Sequence, residues 1–124
     1  MNLVDTSGWL EYFAESVNAI NYEKAISQVD RLIVPTIVLF EVFKKIINEY
    51  DEDRALVAIA HMKLAKVVDL TEPIAVYAAK VSYERKLSMA DSIIYATAEI
   101  YGATLYTQDD HFSHLPNVKY FKKK

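Results

Sequence analysis

Short apolar runs alternate with longer amphipathic stretches along this chain, and this alternation constrains the fold more than any other feature of the sequence. The runs that have the length and composition of strands are residues 2–5, 32–34, 66–70, 103–106 and 118–121. The stretches between them have helical periodicity and carry start signals at Thr6-Ser7, Thr36 and Thr71-Glu72-Pro73, and one of these helices is predicted over residues 17–29. Strands that alternate with helices are typical of an α/β fold. We therefore predict an α/β fold around a mainly parallel sheet of four to five strands.

The length and composition narrow the class of protein. A chain of 124 residues that is 52% hydrophobic and 25% charged fits one globular domain, residues 1–124, rather than a disordered chain. It contains no cysteine, which excludes disulfides and cysteine-ligated zinc or iron–sulfur sites. No signal peptide and no apolar run of membrane-spanning length is visible, so we expect a soluble cytoplasmic protein. The net charge of −3 neither favours nor excludes a nucleic-acid partner.

One acid lies in an otherwise apolar helical stretch, Leu87 to Ala96. Ser88 is placed to cap this helix, and Asp91 follows three residues later in its first turn. A carboxylate in such an apolar helix needs a partner, because an unpaired buried charge is costly. Taken alone, Asp91 could be a capping-box acid with no further role.

Three other acids fall where the strands end. Asp5 closes the first strand and Asp109 lies just past the fourth, while Glu41 is the only charged residue between Leu32 and Phe43. The carboxyl ends of parallel strands meet at one edge of a sheet, so we expect these acids to converge there with that of the Leu87–Ala96 helix.

Each of these acids also has a purely structural interpretation. Asp5 and Asp109 could cap a helix or a turn, and Glu41 could pair with a nearby cation, for which the candidates are Lys44, Lys45 and Arg85. All of these interpretations would have to hold together to explain the pattern. Carboxylates that crowd together repel one another unless they are protonated or bind cations, and an oxygen-only site suits Mg²⁺ or Mn²⁺.

The ordered motifs resemble those of the PIN-domain ribonucleases and, more narrowly, of VapC-type toxins from prokaryotic toxin–antitoxin pairs. The motifs that carry this resemblance are Val4-Asp5-Thr6-Ser7, the isolated Glu41, Leu87-Ser88-Met89-Ala90-Asp91, and Leu105-Tyr106-Thr107-Gln108-Asp109 with Phe112. Their order and spacing extend the resemblance from Asn2 to Phe121.

The resemblance implies a three-layer α/β/α fold and a metal-dependent endoribonuclease that uses Mg²⁺ or Mn²⁺. It implies an acidic quartet of Asp5, Glu41, Asp91 and Asp109, with Ser7 and Thr107 in supporting positions. The expected metal ligands are Asp5, Asp91 and Asp109, whereas Glu41 could ligate metal, orient water or act as a base. Asp110 could replace Asp109 as a ligand, although the T-x-D spacing favours Asp109. The implied partners are an RNA substrate, a second copy of the chain in a homodimer, and a cognate antitoxin whose helical segment lies in a groove.

Two other functions are compatible with parts of the pattern. A catalytically silent PIN-like binding or scaffold protein would share the fold, but the intact quartet argues against it. A receiver-type phosphorylation switch also clusters acids at strand ends, but it needs two acids together near the first strand and a lysine after its last core strand. Asp5 stands alone, and Asp109 lies where that lysine would be expected.

The remaining charged features are interpreted as structural. His111 and His114 are three residues apart but are expected to be surface histidines, and His61 is expected to have a structural role. Lys119 and the run Lys122–Lys124 are interpreted as a solvated terminus, with contact to an RNA backbone as the alternative.

Overall fold

Five parallel strands form one sheet in the computed structural model, which describes all 124 residues. The strands are β1 (Asn2–Val4), β2 (Leu32–Pro35), β3 (Lys66–Val68), β4 (Thr104–Thr107) and β5 (Val118–Tyr120). They lie in the order β3-β2-β1-β4-β5, and every neighbouring pair is parallel. The predicted α/β fold with a parallel sheet is confirmed, and all five strands end at the same edge.

Six α-helices surround the sheet and complete a three-layer α/β/α arrangement. They are α1 (Thr6–Ala14), α2 (Ile20–Ser27), α3 (Thr36–Glu49), α4 (Glu52–Met62), α5 (Glu72–Arg85) and α6 (Met89–Tyr101). Single 3₁₀ turns lie at Val17–Ala19, Val29–Arg31 and Asp110–Phe112. None of the helices is both long enough and apolar enough to cross a membrane.

Several predicted boundaries were wrong for identifiable physical reasons. The helix predicted over residues 17–29 is α2 flanked by two 3₁₀ turns, and Asn18 in the first turn bonds to a distant glutamine instead of facing solvent. The strand predicted over residues 66–70 ends at Val68, because Val68 pairs with Pro35, the last residue of the only strand beside it.

Two helices begin at their predicted start signals, Thr6 and Thr36, but the cap chemistry expected of these hydroxyl residues is not used. Helix α1 is capped by the side chain of Asp5, not by Thr6 or Ser7. Thr36 is the first residue of α3 and supplies no cap, since Pro35 occupies the cap position. The acid that was predicted to end a strand therefore also begins a helix.

The packing around β1 requires one glycine in α1. The strand residues Leu3 and Val4 are fully buried in a single core of 30 residues. A Cβ atom on Gly8 would lie 2.6 Å from both Val4 and the ring of Tyr22. Gly8 therefore allows α1 to lie close to β1 and α2, and this close approach places the N-terminus of α1 at the sheet edge.

Candidate active site

The four predicted acids lie at the edge of the sheet where the strands end. Asp5 directly follows β1, and Asp109 lies two residues past β4. Glu41 lies in the second turn of α3, the helix that follows β2, and Asp91 lies in the first turn of α6. The structure therefore brings residues from four distant parts of the sequence to one region, as the parallel topology predicts.

Asp5 is buried and accepts three hydrogen bonds. Its Oδ1 accepts from the Ser7 hydroxyl at 2.7 Å and from the Gly8 amide at 2.9 Å, while its Oδ2 accepts from the Thr107 hydroxyl at 2.6 Å. The Thr107 hydroxyl oxygen also accepts from the Asp109 amide at 2.9 Å. The two residues predicted as supports, Ser7 and Thr107, thus contact Asp5 directly, and Thr107 links it to the loop of Asp109.

Burial raises the pKa of Asp5 from 3.8 to about 6, in spite of these hydrogen bonds. The hydrogen bonds from Thr107, Ser7 and Gly8 lower the pKa, and the nearby charge of Asp109 raises it further. The carboxylate is therefore fixed in position but carries negative charge that the protein does not fully compensate.

Asp91, Asp109 and His111 form the tightest group of potential metal ligands. One ligand atom from each lies within 4.8 Å of the others. His111 Nδ1 is 3.4 Å from Asp91 Oδ2 and 3.3 Å from Asp109 Oδ1. Burial and the charge of Asp109 raise the pKa of Asp91, whereas the charge of Asp109 and the contact with Asp91 raise the pKa of His111.

The contact of His111 with the two acids was missed by the sequence analysis. His111 is exposed, as expected, with 69% of its side chain accessible, yet its ring lies against both Asp91 and Asp109. The signal in the sequence was the Asx turn at Asp109, whose Oδ1 accepts from the His111 amide at 2.9 Å and so holds His111 beside it. His114 has no part in this group.

Glu41 is hydrogen-bonded to the residue that follows Asp5 in the chain. The hydroxyl of Thr6, the residue after Asp5, donates to Glu41 Oε1 at 2.6 Å. Glu41 forms no ion pair with any lysine or arginine, so the structural interpretation of it as a partner for a cation finds no support. Neither Glu41 nor Asp5 contributes an atom to the close group formed by Asp91, Asp109 and His111.

A second hydrogen-bond network holds Gln108, the residue before Asp109. The buried Gln108 side chain accepts from Asn18 Nδ2 at 2.7 Å and donates to Glu11 Oε1 at 3.0 Å. Ser16 in turn donates to the Glu11 carboxylate. No role of Gln108, Asn18 or Glu11 was predictable from the sequence, because no local pattern links residues that lie about 90 positions apart.

The donor set fits a hard divalent cation. Asp91 and Asp109 offer oxygens that both Mg²⁺ and Mn²⁺ accept, and His111 adds an imidazole nitrogen that suits Mn²⁺ better than Mg²⁺. Burial, with the charge of Asp109 as a further cause, raises the pKa values of Asp5 and Asp91, so a bound cation would favour their ionised forms.

Comparisons with known proteins give one family and one fold. The model of the PIN-domain family matches residues 3–118. No curated protein sequence matches the chain. A toxin–antitoxin complex from Klebsiella pneumoniae contains a similar chain, with 23% sequence identity, a TM-score of 0.81, and 96% of each chain covered.

Two further solved structures have the same fold. A VapC toxin from Mycobacterium tuberculosis that cleaves the sarcin–ricin loop is 18% identical, with a TM-score of 0.76 over 94% of this chain and 95% of that one. A chain of the promoter-bound VapBC2 complex from Rickettsia felis is 16% identical, with a TM-score of 0.75 over 97% of this chain and 96% of that one. At these identities the likeness establishes the shared fold.

Proposed function

The chain belongs to the PIN-domain family, and from that membership we propose that it is a metal-dependent endoribonuclease and the toxin of a type II toxin–antitoxin pair. The observation that carries the proposal is the convergence of four acids at one sheet edge, with Asp91, Asp109 and His111 grouped tightly enough to hold one ion. The similar chains from toxin–antitoxin complexes support the toxin role, and the VapC toxin that cleaves the sarcin–ricin loop supports RNA as the substrate.

We propose that Asp91 and Asp109 bind the ion and that the buried Asp5 is a further ligand. A bound Mg²⁺ or Mn²⁺ supplies a water of lowered pKa, a contact to the scissile phosphate and compensation for charge on the leaving oxygen. Thr107 connects Asp5 to the Asp109 loop by donating to Asp5 Oδ2 and accepting from the Asp109 amide, and Ser7 orients Asp5 Oδ1. Glu41, held by Thr6, is placed to orient the attacking water or to accept its proton.

The proposed protein partner is a cognate antitoxin. A groove of about 750 Å³ lies between α1, α3 and α4, and its apolar lining includes Leu10, Phe13, Ile46 and Val57. A groove between helices with an apolar floor is suited to an amphipathic helix. We propose that it receives a helical segment of the antitoxin and that the toxin acts as a homodimer.

The first test is cleavage of a labelled structured RNA by the purified protein with Mg²⁺, with Mn²⁺ and with EDTA. We expect cleavage with either metal and none with EDTA. Asp91→Asn and Asp5→Asn should each reduce the rate at least about a hundredfold, because even residues that only support metal ligands contribute 10- to 100-fold. Asp30→Asn is the control of matched charge, since Asp30 is exposed and precedes β2 at the opposite edge of the sheet.

Two outcomes would contradict the proposal. Cleavage that survives both substitutions would mean that the activity arises elsewhere or from a contaminant. Absence of cleavage with either metal, by folded protein free of antitoxin and across several structured RNAs, would favour a PIN-like binding protein without catalysis.

A further inference from the structure

Three consecutive lysines follow the last strand at the same edge of the sheet as the acids. Residues Lys122–Lys124, here called the lysine segment, are exposed and come directly after Phe121. Because β5 is parallel to β4, the chain leaves β5 at the edge where Asp109 lies. These lysines were predicted to be a solvated terminus, but their position in the sequence does not reveal that they follow a strand ending at the edge that carries the acids.

Two hydrogen bonds to main-chain atoms fix the start of the lysine segment at this edge. The Phe121 amide donates to the carbonyl oxygen of Thr107 at 2.9 Å, and Asn18 Nδ2 donates to the carbonyl oxygen of Lys122 at 3.4 Å. Thr107 is also the residue whose hydroxyl donates to Asp5. Lys122 therefore directly follows a residue whose amide is hydrogen-bonded to Thr107, the residue that also holds Asp5.

The side chains of the lysine segment have no partner within the protein. The nearest lysine along the chain is engaged, because Lys119 lies 5.3 Å from the centre of the Tyr106 ring. None of the ion pairs or cation–π contacts involves a residue of the lysine segment. Their positive charges are free to meet an anion from solution.

We propose that the lysine segment binds the phosphate backbone of the RNA that the acidic site cleaves, an inference that rests on the proposed function. A polyanion must approach an edge that carries four carboxylates, on a chain whose net charge is −3. Three extended residues reach about 10 Å from their anchor, far enough to contact phosphates that flank the cleaved bond. Lysine binds phosphate as a point charge without reading sequence, so the segment contributes affinity rather than target choice.

The test measures RNA binding separately from cleavage. Lys122, Lys123 and Lys124 are replaced by Gln together in the Asp91→Asn background, and binding of a short fluorescein-labelled single-stranded RNA is followed by anisotropy at several KCl concentrations and constant Mg²⁺. Three lost phosphate contacts should reduce the slope of log Kd against log [KCl] by about 2 and weaken binding at least about tenfold at low salt. The matched control replaces the three exposed residues Lys24, Lys63 and Lys80 by Gln, since their side chains form no ion pair or cation–π contact either.

An unchanged slope in the lysine-segment variant, or an equal loss in the control variant, would overturn the proposal. Poly-glutamate serves as a probe for an acidic protein partner. A lysine-segment variant that binds poly-glutamate less well than its parent but binds RNA normally would also overturn the proposal, because the segment would then serve such a partner. Unfolding midpoints that match the parent exclude misfolding as the cause. Cleavage by the wild-type protein tests the proposed nuclease function independently. The role of the lysine segment can therefore be disproved while that function stands.

Discussion

Asp5 combines a structural and a chemical role in a single carboxylate. It caps α1 through the Gly8 amide and is bonded by Ser7 and Thr107, which makes it the most constrained of the four acids. Its pKa of about 6 shows that these bonds do not offset the cost of burying its charge. The helix cap and the active-site acid are therefore not competing interpretations, because the same residue fulfils both.

This cost predicts a pH dependence of stability in metal-free protein. The pKa of Asp5 is raised in the folded state, so the folded protein binds the proton more tightly and the free energy of unfolding should fall as pH rises from about 4 to about 6. The difference between 3.8 and about 6 corresponds to at most roughly 3 kcal/mol. Asp5→Asn should remove this loss, so in EDTA the wild type should become less stable relative to the variant across that interval.

Urea unfolding of both proteins at several pH values in EDTA measures this difference. Asp30→Asn controls for the general effect of removing one carboxylate, because Asp30 is exposed. A constant difference between wild type and Asp5→Asn from pH 4 to pH 7 would show that burial of the Asp5 charge is not costly.

At the scale of elements, two sets of side-chain hydrogen bonds fix the loop after β4. Thr107 connects it to the N-terminus of α1, and Gln108 connects it to Glu11 within α1 and to Asn18 in the following turn. The two residues that precede Asp109 are thus both fixed by side-chain hydrogen bonds. We interpret Gln108 as a positioning residue for Asp109, since it contacts neither an ion site nor a substrate path itself.

Exchanging the residue types of Gln108 and its partner Glu11 tests this positioning role. Gln108→Glu should destabilise the protein by about 1–3 kcal/mol and slow cleavage, because two carboxylates would then face each other. The double variant Glu11→Gln with Gln108→Glu should recover most of both losses, since Asn18 and Ser16 can still donate to the exchanged pair. A double-mutant cycle of urea unfolding and of cleavage rates should give a coupling of at least about 1 kcal/mol. Additive effects, with no recovery in the double variant, would contradict the assignment.

The elements show what local sequence patterns could and could not predict. Alternation of apolar runs and helices was sufficient for the parallel sheet, and the Ser88 cap was predicted from residue type alone. The end of β3 was not predictable in this way, because it depends on where its neighbour β2 meets Pro35. The network of Gln108 was invisible for the same reason, since its partners are distant in sequence and close only after folding.

At the scale of the whole molecule, the fold concentrates acidic side chains at one edge and places free lysines beside them. The parallel order of strands makes this possible, because every strand delivers its C-terminal residue to that edge. Uncompensated carboxylates at the edge oppose folding, whereas an ion that binds only the folded state stabilises it. Metal binding and folding stability should therefore be coupled across the entire domain.

Thermal unfolding should reveal this coupling and the part that His111 plays in it. Mn²⁺ at a hundredfold excess over its dissociation constant should stabilise the fold by about 2.7 kcal/mol, and Asp91→Asn should abolish most of that gain. His111→Ala should reduce the shift with Mn²⁺ more than the shift with Mg²⁺, because the imidazole nitrogen adjoining Asp91 and Asp109 suits Mn²⁺ better. His114→Ala is the matched control, an exposed histidine outside the group. Equal effects of the two histidine substitutions would show that His111 lies near the ion site without contributing a ligand.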